Sequence, residues 1–469
     1  MAHERDLDVL VIGSGGAGLC AALAAHEAGA RSILVAESED VVGGSSRLSG
    51  GLVMGAPTRY QRDAGFDDTA DALYHDYLQL NRWSVDAPIV RRLCDLSGPT
   101  VDWLGDLGVD FHHRLVLGGD ELVPRVHVPR GGGQAIVDVL HRECRERGID
   151  IALGQRVDRL LSDADGVYGA AVADDEITAH AVVIATGGFG ADPAKLAEHY
   201  PSAAATEWTW YIGAEGARGD AIDLGRQVGA QLTGHDRGLR LLDVGFDHVL
   251  EAFLPGWLVM VDRTGHRFIA EDAPYGMLDS AVRDRGDVVY VIFDSAALQG
   301  GETGSSAAAK PRDASRPSPH WNSDIVELMV AEGRVHRHDD LGELAGSLGL
   351  PRDALTGTIE RYNEGVSAGL DMQCAKDPSS MLPVRTPPFH GAELRPATVC
   401  STAFGLRVTA EAQVLATDGR PIPGLFAAGE CTGNVVGAHY VGSGNNYANC
   451  TVVGRIAGEA AATVLRSSG

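Results

Sequence analysis

The sequence predicts an α/β protein whose parallel sheet carries a Rossmann-like unit near the N-terminus. A short apolar run at residues 8–12 is typical of a buried parallel strand, and a glycine-rich turn and an alanine-rich helical segment to about Ala28 follow it. A second strand-like run, "SILVAE", ends at the acidic residue Glu37. Strand, turn, helix and acidic strand end stand in the order and at the spacing that this fold requires.

The glycine-rich turn fits the pattern GxGxxG and consists of Gly13, Ser14, Gly15, Gly16, Ala17 and Gly18. In this pattern the first glycine makes the turn, the second lets the backbone approach a pyrophosphate, and the third lets the helix pack on the strand. The pyrophosphate would lie at the helix N-terminus, and Glu37, with Ser38 beside it, would bind the ribose. We therefore predict a dinucleotide site.

The segment that follows the second strand, "VVGGSSRLSGG" at 41–51, is too polar for a core. It resembles the second phosphate-and-flavin loop of the succinate dehydrogenase/fumarate reductase flavoprotein superfamily. The resemblance implies FAD as the cofactor, with contacts from Gly44, Ser45, Ser46, Gly50 and Gly51. Members with covalent flavin carry a histidine in this segment, where this chain has two serines and Arg47. We therefore expect non-covalent FAD.

Later segments resemble the same superfamily in the same order. The resemblance places Val157 against the adenine, and it places a turn formed by Thr186, Gly187 and Gly188 against the dinucleotide. It also puts Asp220 at the start of a helix, and Gly429 and Glu430 near the ribityl chain. The stretch "AHYVGSGNNYANC" at 438–450 precedes the last helix, whose start near Asn445 is predicted to point at the flavin. Its assigned flavin contacts are Ser443, Asn445 and Asn446.

The resemblance also implies a divided FAD-binding domain, formed by residues 1–236 and 385–469. Residues 237–384 would form an α+β cap that contacts the substrate. Helical patterns within about 55–128 predict a helical layer inserted in the first part of the FAD-binding domain. The polar stretch 301–319 is interpreted as a surface excursion, with a mobile lid as the alternative.

Two positions separate the substrate classes of the superfamily. Soluble fumarate reductases carry an arginine seven residues after the phenylalanine that corresponds to Phe268, where this chain has Tyr275. They carry a second arginine, which clamps a substrate carboxylate, where this chain has Val441. Neither side chain replaces the guanidinium fork, so a C4-dicarboxylate is excluded as the expected substrate. Other arginines that could reach a carboxylate remain open: Arg47, Arg283 and Arg285.

The remaining pattern resembles the 3-ketosteroid Δ1-dehydrogenases, because "HYVGSG" at 439–444 aligns with their "SYAGAG" segment. The resemblance implies that Tyr275 is the catalytic base, and that the Tyr440 hydroxyl and the Gly444 N–H donate to the ketone oxygen. Such aimed donors stabilise a developing enolate. The family supports its base with a second tyrosine from the helical insertion, for which three residues remain open: Tyr60, Tyr74 and Tyr77.

The predicted function is FAD-dependent α,β-desaturation of a ketone, preferably a cyclic one such as a 3-ketosteroid, a cyclohexanone or a 4-oxocyclohexanecarboxylate. One alternative is an ene reductase with an external electron donor, and another is a flavin-binding protein without catalysis. The sequence contains no haem or iron–sulfur motif, so we expect an external electron acceptor: oxygen, a quinone or a carrier protein.

The composition of the chain limits the kinds of partner and the compartment that we expect. The net charge of −25 argues against binding to nucleic acid or to anionic membranes. The seven cysteines include no CxxC pair, so we expect neither a metal site nor disulfides, and a reducing cytoplasm fits best. Acidic residues precede a short apolar run at the N-terminus, which is unlike a signal peptide, and no apolar stretch reaches 18 residues. We therefore expect a cytoplasmic protein without a membrane span.

Overall fold

The computed structural model describes residues 5–119, 121–303 and 318–467. The chain divides into two compact units, which are described separately. The first unit consists of Met1–Ala205, Gly213–Leu239 and Cys400–Gly469, and the second of Thr206–Ile212 and Arg240–Val399. Most of the polar stretch 301–319 lies outside the described residues.

The strands, in chain order, are β1 (Leu7–Ile12), β2 (Ile33–Ala36), β3 (Val53–Met54), β4 (Val126–His127), β5 (Asp150–Ala152), β6 (Arg159–Asp163), β7 (Gly166–Val172), β8 (Asp175–Ile184), β9 (Trp210–Tyr211), β10 (Leu232–Thr233), β11 (Gly238–Asp243), β12 (Val259–Val261), β13 (Val289–Asp294), β14 (Val335–His338), β15 (Phe389–Thr402), β16 (Gly405–Leu406), β17 (Gln413–Leu415) and β18 (Pro421–Ala427).

The α-helices are α1 (Gly16–Glu27), α2 (Gly44–Leu48), α3 (Arg59–Asp63), α4 (Ala70–Leu80), α5 (Ala87–Asp106), α6 (Gly132–Glu146), α7 (Pro193–His199), α8 (Asp220–Gln227), α9 (Tyr275–Arg283), α10 (Ser295–Thr303), α11 (Ser323–Ala331), α12 (Leu341–Ser347), α13 (Arg352–Ala368), α14 (Asn445–Ala448) and α15 (Gly454–Ser467). Short 3₁₀ turns cover Pro378–Ser380 and Gly429–Cys431, and a π-helical turn, Asn449–Val453, connects α14 with α15.

The first unit is built on a sheet in the order β17-β18-β8-β1-β2-β5. Strands β18, β8, β1, β2 and β5 are parallel neighbours, whereas β17 and the β6–β7 hairpin join in antiparallel fashion. Strand β1 is central, and its residues Val9, Leu10 and Val11 are fully buried. A strand covered on both faces needs the continuous apolar run seen in the sequence. The predicted α/β fold with a parallel sheet is confirmed.

Helix α1 packs between β1 and the last helix, α15, at backbone-to-backbone distance. A Cβ built on Gly18 would lie 1.8 Å from the Gly13 carbonyl oxygen, so the turn and the helix can close only over glycine. On α15, a Cβ on Gly454 would lie 2.4 Å from the Ala17 carbonyl oxygen, and one on Gly458 would lie 2.0 Å from that of Ala21. Small residues on both helices therefore set this contact.

The helical layer of the first unit contains α3, α4 and α5. The two helical patterns read from the sequence correspond to α4 and α5. Thr69 caps α4 by accepting from the Ala72 N–H, and Thr58 and Gln61 form a capping box at α3. Helix α5 buries one apolar face. This layer supplies contacts to the candidate site described below.

The second unit has an antiparallel sheet in the order β11-β15-β13-β12, with β14 and β9 also paired to β15. Residues 206–212 and 385–399 lie in this unit, whereas the sequence assigned both to the FAD-binding domain. The reason is pairing: β9 runs parallel to Thr398 and Val399, and the first half of β15 pairs with β13 and β14. The long strand β15 therefore belongs mostly to the second sheet.

A buried charge cluster fixes the segment that leads to α9. Arg267 forms ion pairs with Glu271 and Asp371 at 2.8 and 2.9 Å, and Lys376 contacts Glu271 at 3.0 Å. Because two cations face two carboxylates, the charges of this buried cluster compensate one another. The described residues contain no helix with both the length and the apolar character needed to cross a membrane.

We expect Gly458→Ala to lower the free energy of unfolding by about 1–3 kcal/mol, because the added methyl group meets the Ala21 carbonyl and forces α1 and α15 apart. The matched control is Gly357→Ala in α13, where the nearest atom is the end of the flexible Arg361 side chain. That change should be neutral or stabilising by up to about 1 kcal/mol. Thermal unfolding of both variants measures the difference, and equal melting temperatures would contradict this packing.

Candidate active site

The glycine turn after β1 is tied to the end of β2 by Ser14. Its backbone N–H and its hydroxyl both donate to Glu37 Oε2, at 2.8 and 2.6 Å. Gly13 has a φ of +104°, and the other Glu37 oxygen accepts from the Glu39 N–H at 2.8 Å. Ser38 also donates to that oxygen at 3.2 Å. The turn and the acidic strand end therefore meet, as the motif requires.

The second glycine- and serine-rich loop folds onto the same turn. The Gly16 N–H, in the first turn of α1, donates to Ser46 Oγ at 2.9 Å, and the Gly43 N–H donates to Ser14 Oγ at 3.1 Å. Ser45 Oγ accepts from the Ala214 N–H at 3.0 Å. Gly51 has a φ of +68° and packs on the start of α6, where a Cβ would lie 2.5 Å from the Gly133 N. Gly50 precedes it in the same loop.

The turn after β8 lies beside Glu430. A Cβ on Gly188 would lie 2.2 Å from Glu430 Oε1, so the two segments can meet only at a glycine. Glu430 Oε1 accepts from the Thr402 N–H at 2.8 Å and from its hydroxyl at 3.0 Å. Burial raises the pKa of Glu430, and the Thr402 hydrogen bonds partly oppose that rise. Gly429 has a φ of +81°, and a Cβ on it would lie 2.8 Å from the Ala17 Cβ.

Val157 and Asp220 are two further residues for which the sequence predicts a contact with the dinucleotide. Val157 is buried, and Asp220 is the first residue of α8. Desolvation raises the pKa of the Asp220 carboxyl, while the positive charge of Arg156, 3.3 Å away, opposes the shift. Arg156 also donates to the Gly216 carbonyl oxygen at 3.2 Å. These residues belong to the first unit.

The residues present fit a bound dinucleotide. A Cβ on Gly15 would have no neighbour closer than 3.8 Å, and one on Gly187 would have none within 4 Å. Three polar atoms around this site are buried without a hydrogen-bond partner among the described residues: Glu39 Oε2, Thr186 Oγ1 and Asn449 Oδ1. Buried polar groups are normally paired, so these atoms suit a polar ligand.

The stretch 438–450 is fixed by backbone contacts around Gly444. This residue has a φ of +85°, and its carbonyl oxygen accepts from the Met54 N–H at 3.1 Å. A Cβ on Gly444 would lie 2.6 Å from the Met54 nitrogen. The Ser443 N–H donates to the Gly118 carbonyl oxygen at 2.8 Å. Glycine is therefore required where strand β3 meets the start of α14.

Tyr440 lies over the start of α14. Its hydroxyl oxygen accepts a hydrogen bond from the Asn446 N–H at 3.3 Å, and Gly444 is the residue that caps this helix. Among the described residues, no carbonyl or side-chain oxygen accepts from the Gly444 N–H. The helix start thus brings together Tyr440, Gly444 and Asn446. Their roles as ketone donors and flavin contact stay predictions.

The helical layer holds the loop that leads into Tyr440, which the sequence did not reveal. Asn81 is fully buried, donates from Nδ2 to the Val436 carbonyl at 3.3 Å, and accepts from the His439 N–H at 3.0 Å. Tyr77 donates to the Val435 carbonyl at 2.9 Å. A turn with positive φ at Arg82 and Trp83 follows α4. In the sequence, the only signal was an asparagine at the end of a predicted helix.

The three tyrosines proposed to support the catalytic base pack against neighbouring side chains. Tyr77 belongs to the core, Tyr60 makes edge-to-face contacts with Phe111 and His127 at 5.5 Å, and Tyr74 lies beneath the Arg91 guanidinium. Burial lowers the pKa of His127 to about 4. Each tyrosine is therefore part of the packing of the helical layer.

In the second unit, Tyr275 is the first residue of α9 and makes an edge-to-face contact with Phe253, with 5.4 Å between ring centroids. The two candidate arginines nearby in sequence are engaged. Arg283 pairs with Asp279 at 3.5 Å, and Arg285 stacks over Phe268 and donates to the Ala281 carbonyl. In the first unit, Arg47 has its Nε buried without a hydrogen-bond partner among the described residues.

The FAD binding domain family matches residues 8–447 of this chain. The chain belongs to this family. It is 32% identical to a probable fumarate reductase from Shewanella frigidimarina, over 97% of this chain and 74% of that protein. It is 29% identical to the NADH:fumarate oxidoreductase of Klebsiella pneumoniae, over 99% of this chain but only 48% of that protein.

Among solved structures, the chain is similar to a 3-ketosteroid-Δ4-(5α)-dehydrogenase from Rhodococcus jostii, determined in complex with 4-androstene-3,17-dione. The TM-score is 0.79 and the identity 27%, and the match covers 98% of each chain. The predicted superfamily and FAD as cofactor are thereby confirmed. This protein is an FAD-binding oxidoreductase. The chain spans about half the length of the Klebsiella relative and about three quarters of the Shewanella relative.

We expect Gly15→Val to abolish FAD binding while the protein still folds. Gly15 has a φ of −63° and an extended ψ, which valine accepts, and the chain leaves room for a Cβ. The larger side chain instead enters the space that the dinucleotide needs. The ratio of flavin to protein absorbance after purification measures the effect, with Gly357→Ala as a control that should keep its flavin. Full FAD content in Gly15→Val would show that the cofactor does not approach this turn.

We expect Asn81→Ala to lower the free energy of unfolding by about 1–3 kcal/mol, because it removes the hydrogen bonds of Asn81 with the part-buried His439 N–H and with the buried Val436 carbonyl. Gln79→Ala, on the exposed side of the same helix, is the control and should change stability little. Denaturant unfolding with FAD present compares the two. If both variants matched the parent, the contacts of Asn81 would not hold the loop.

Proposed function

We propose that this protein desaturates a ketone between its α- and β-carbons. The observation that carries the proposal is the pair of neutral donors at the start of α14, the Tyr440 hydroxyl and the Gly444 N–H. Bound FAD supplies the hydride acceptor. Removal of the α-proton is feasible only if the enolate oxygen is stabilised as it forms, and preorganised donors provide this.

The surroundings of the donors favour this role. The Asn446 N–H donates to the Tyr440 oxygen, and a hydroxyl that accepts a hydrogen bond becomes a stronger donor itself. The α14 start adds a positive field from its N–H groups, which favours the negative charge of an enolate. Gly444 is held against β3 by its carbonyl, so its N–H keeps a fixed direction. These features position donors without a formal charge.

We assign the base to Tyr275. It is the first residue of α9, and its ring contacts Phe253 edge-to-face. The alignment with the 3-ketosteroid dehydrogenases supports the same role. In the proposed reaction, Tyr275 takes the α-proton while Tyr440 and Gly444 hold the ketone oxygen. The electrons leave the enzyme through an external acceptor, for which oxygen, a quinone and a carrier protein are the candidates.

A dicarboxylate substrate fits the charges poorly. Val441 is buried where fumarate reductases place an arginine. The loop against it contacts the stretch through Gly118 and Gly119 and contributes the buried carboxylate of Glu121, whose oxygens accept from the N–H groups of these two glycines. Arg283 and Arg285 are engaged in other contacts, as described above. The proposed substrate is therefore a ketone, preferably a cyclic one, and not a dicarboxylate.

We further propose that the FAD is bound without a covalent link. The segment that carries histidine in covalent relatives has serines here, and both are engaged with backbone N–H groups, Ser45 with Ala214 and Ser46 with Gly16. Denaturation should release the flavin into the supernatant. Flavin that stays with the precipitated protein would contradict this assignment.

A second candidate is the reverse reaction, reduction of an activated alkene by an external donor. The names of the sequence relatives, a probable fumarate reductase and an NADH:fumarate oxidoreductase, favour it. The direction can be decided without knowing the physiological partner. A desaturase is reduced by a saturated ketone, whereas a reductase, once reduced chemically, is re-oxidised by an enone.

We expect the flavin of the parent protein to bleach anaerobically with a saturated cyclic ketone, scored over a panel from cyclohexanones to 3-ketosteroids. Tyr440→Phe and Tyr275→Phe should each slow this bleaching by about 10²–10³-fold, because each removes a group needed in the transition state. Tyr168→Phe, beneath Arg5 and away from the helix start, is the control. Unchanged bleaching in both active-site variants, or rapid re-oxidation by enones without ketone bleaching, would overturn the proposal.

A further inference from the structure

The loop 243–254 of the second unit is anchored at its start by Asp243. One carboxylate oxygen accepts from the Trp210 indole N–H and from the Thr398 hydroxyl, each at 2.8 Å, and the other accepts from the Gly245 N–H at 2.7 Å. His248 stacks on Trp210, with 5.1 Å between ring centroids. The loop therefore has a defined conformation before it reaches its exposed part.

A buried histidine fixes the rest of this loop. His320 is 5% exposed, and its Nδ1 and Nε2 lie 2.8 Å from Glu251 Oε2 and from Asp247 Oδ1. Ser318 also donates to Glu251, at 2.5 Å. With a carboxylate at each ring nitrogen, both nitrogens must donate, so the ring is an imidazolium. One side chain thus ties two loop positions, four residues apart, to the segment 318–322.

The titration of His320 follows from these neighbours. Burial lowers the pKa of the ring, but the hydrogen bonds and charges of Glu251 and Asp247 outweigh it and raise the pKa to about 9. Asp243 is a further carboxylate that lines the same small hollow as His320, together with Trp321 and Leu254. Because the folded-state pKa is raised, the clamp is complete below the ordinary value near 6.5 and is lost as the pH rises through about 9.

The clamped loop presents large apolar side chains to solvent. Val249, Leu250 and Phe253 are 45%, 47% and 39% exposed. Phe253 lies two residues after Glu251 and contacts the Tyr275 ring edge-to-face at 5.4 Å. A loop that an ion pair holds in place while it exposes apolar side chains is typical of a binding surface. The contact with Tyr275 places this surface beside the proposed base.

We propose that His320 is a positioning residue, and that the loop it clamps forms an apolar surface, through Phe253, Leu250 and Val249, for the hydrocarbon part of the substrate. This inference rests on the proposed function, and it narrows the substrate to ketones with an extended uncharged ring system. Arg283 and Arg285, in the same unit, are engaged elsewhere and add no cation for a carboxylate. The hydrocarbon of the substrate is the one occupant that the proposed base requires next to it.

The first experiment measures binding without turnover. Calorimetry of the holoenzyme with cyclohexenone and with a steroid enone, neither of which has to react, should show tighter binding of the larger ring. Phe253→Ala should weaken binding of the steroid enone about tenfold or more and binding of cyclohexenone much less. Phe253→Leu should keep most of the affinity for both ligands. Absence of enone binding in the parent, or equal losses for both ligands, would overturn the apolar surface.

The second experiment tests His320 through its charge. In His320→Gln, a neutral amide cannot serve both carboxylates, so we expect the KM of the best ketone to rise about tenfold with a smaller change in kcat. In the parent, KM should rise as the pH passes through about 9, and in the variant it should be high at every pH. His338→Gln, a partly exposed histidine in the same unit, is the control. A parent-like KM and pH profile in His320→Gln would overturn the positioning role.

The outcomes separate this inference from the proposed function. If no ketone bleaches the flavin but the steroid enone still binds and depends on Phe253, then the desaturase proposal fails and the apolar surface stands. If ketones bleach the flavin but neither Phe253→Ala nor His320→Gln affects binding or KM, then the reaction stands and the surface fails. Melting temperatures of all variants, measured with FAD bound, show whether a loss reflects unfolding.

Discussion

Close approach of backbones around the first helix is the constraint on which the first unit depends. The turn after β1 can touch the start of α1 only through Gly18, and α15 can lie on α1 only through Gly454 and Gly458. These contacts place the N–H groups of the α1 start at the open side of the sheet. The serine-rich loop then uses them, since Ser46 accepts from the Gly16 N–H. A cofactor site thus follows from packing that leaves no room for side chains.

Close backbone packing at glycines also determines the conformation of the C-terminal stretch 438–450. Gly444 meets β3 where a Cβ would lie 2.6 Å from the Met54 nitrogen, and Ser443 and Val441 meet the glycine pair at 118–119. The loop before them is held by hydrogen bonds with two side chains, Tyr77 of α4 and Asn81 directly after it. The inserted helical layer therefore has a function in the fold: it sets the position of Tyr440. Without it, the donor pair would sit on a loop with little support.

Much of this architecture could be predicted from the sequence, because the motifs are local. The turn, the serine-rich loop and the glycines at 187 and 188 encode short backbone conformations that depend on a few neighbouring residues. Their order along the chain predicted the family and the cofactor, and both are confirmed. The boundaries between the two units were harder to predict from the sequence. The strand β15 runs from the second unit into the first, and no change in composition marks residue 399, the last residue of the second unit.

The parts that sequence reasoning missed depend on contacts between distant segments. Asn81 and His439 are 358 positions apart, and a lone asparagine after a helix carries no sign of its partner. The clamp at His320 is similar, because its two carboxylates lie about 70 positions earlier in an unremarkable loop. Long-range hydrogen bonds are specified by the fold as a whole, so a single sequence predicts them poorly. They appear only when the chain is folded.

The chain shares about a third of its sequence with a probable fumarate reductase, and the substrate proposed for it differs in charge. The parallel sheet and the glycine turns do not by themselves select a substrate. The sequence resemblance aligns Val441 and Tyr275 with two arginines of fumarate reductases. In the first unit, the loop that packs on Val441 carries the buried Glu121 carboxylate. A carboxylate brought there would lose its hydration without gaining a cation, which costs several kcal/mol. In the proposed reaction, a ketone oxygen needs only the two neutral donors at the α14 start. Identity along the chain therefore reports the cofactor, and in our proposal the charge of a few side chains selects the substrate.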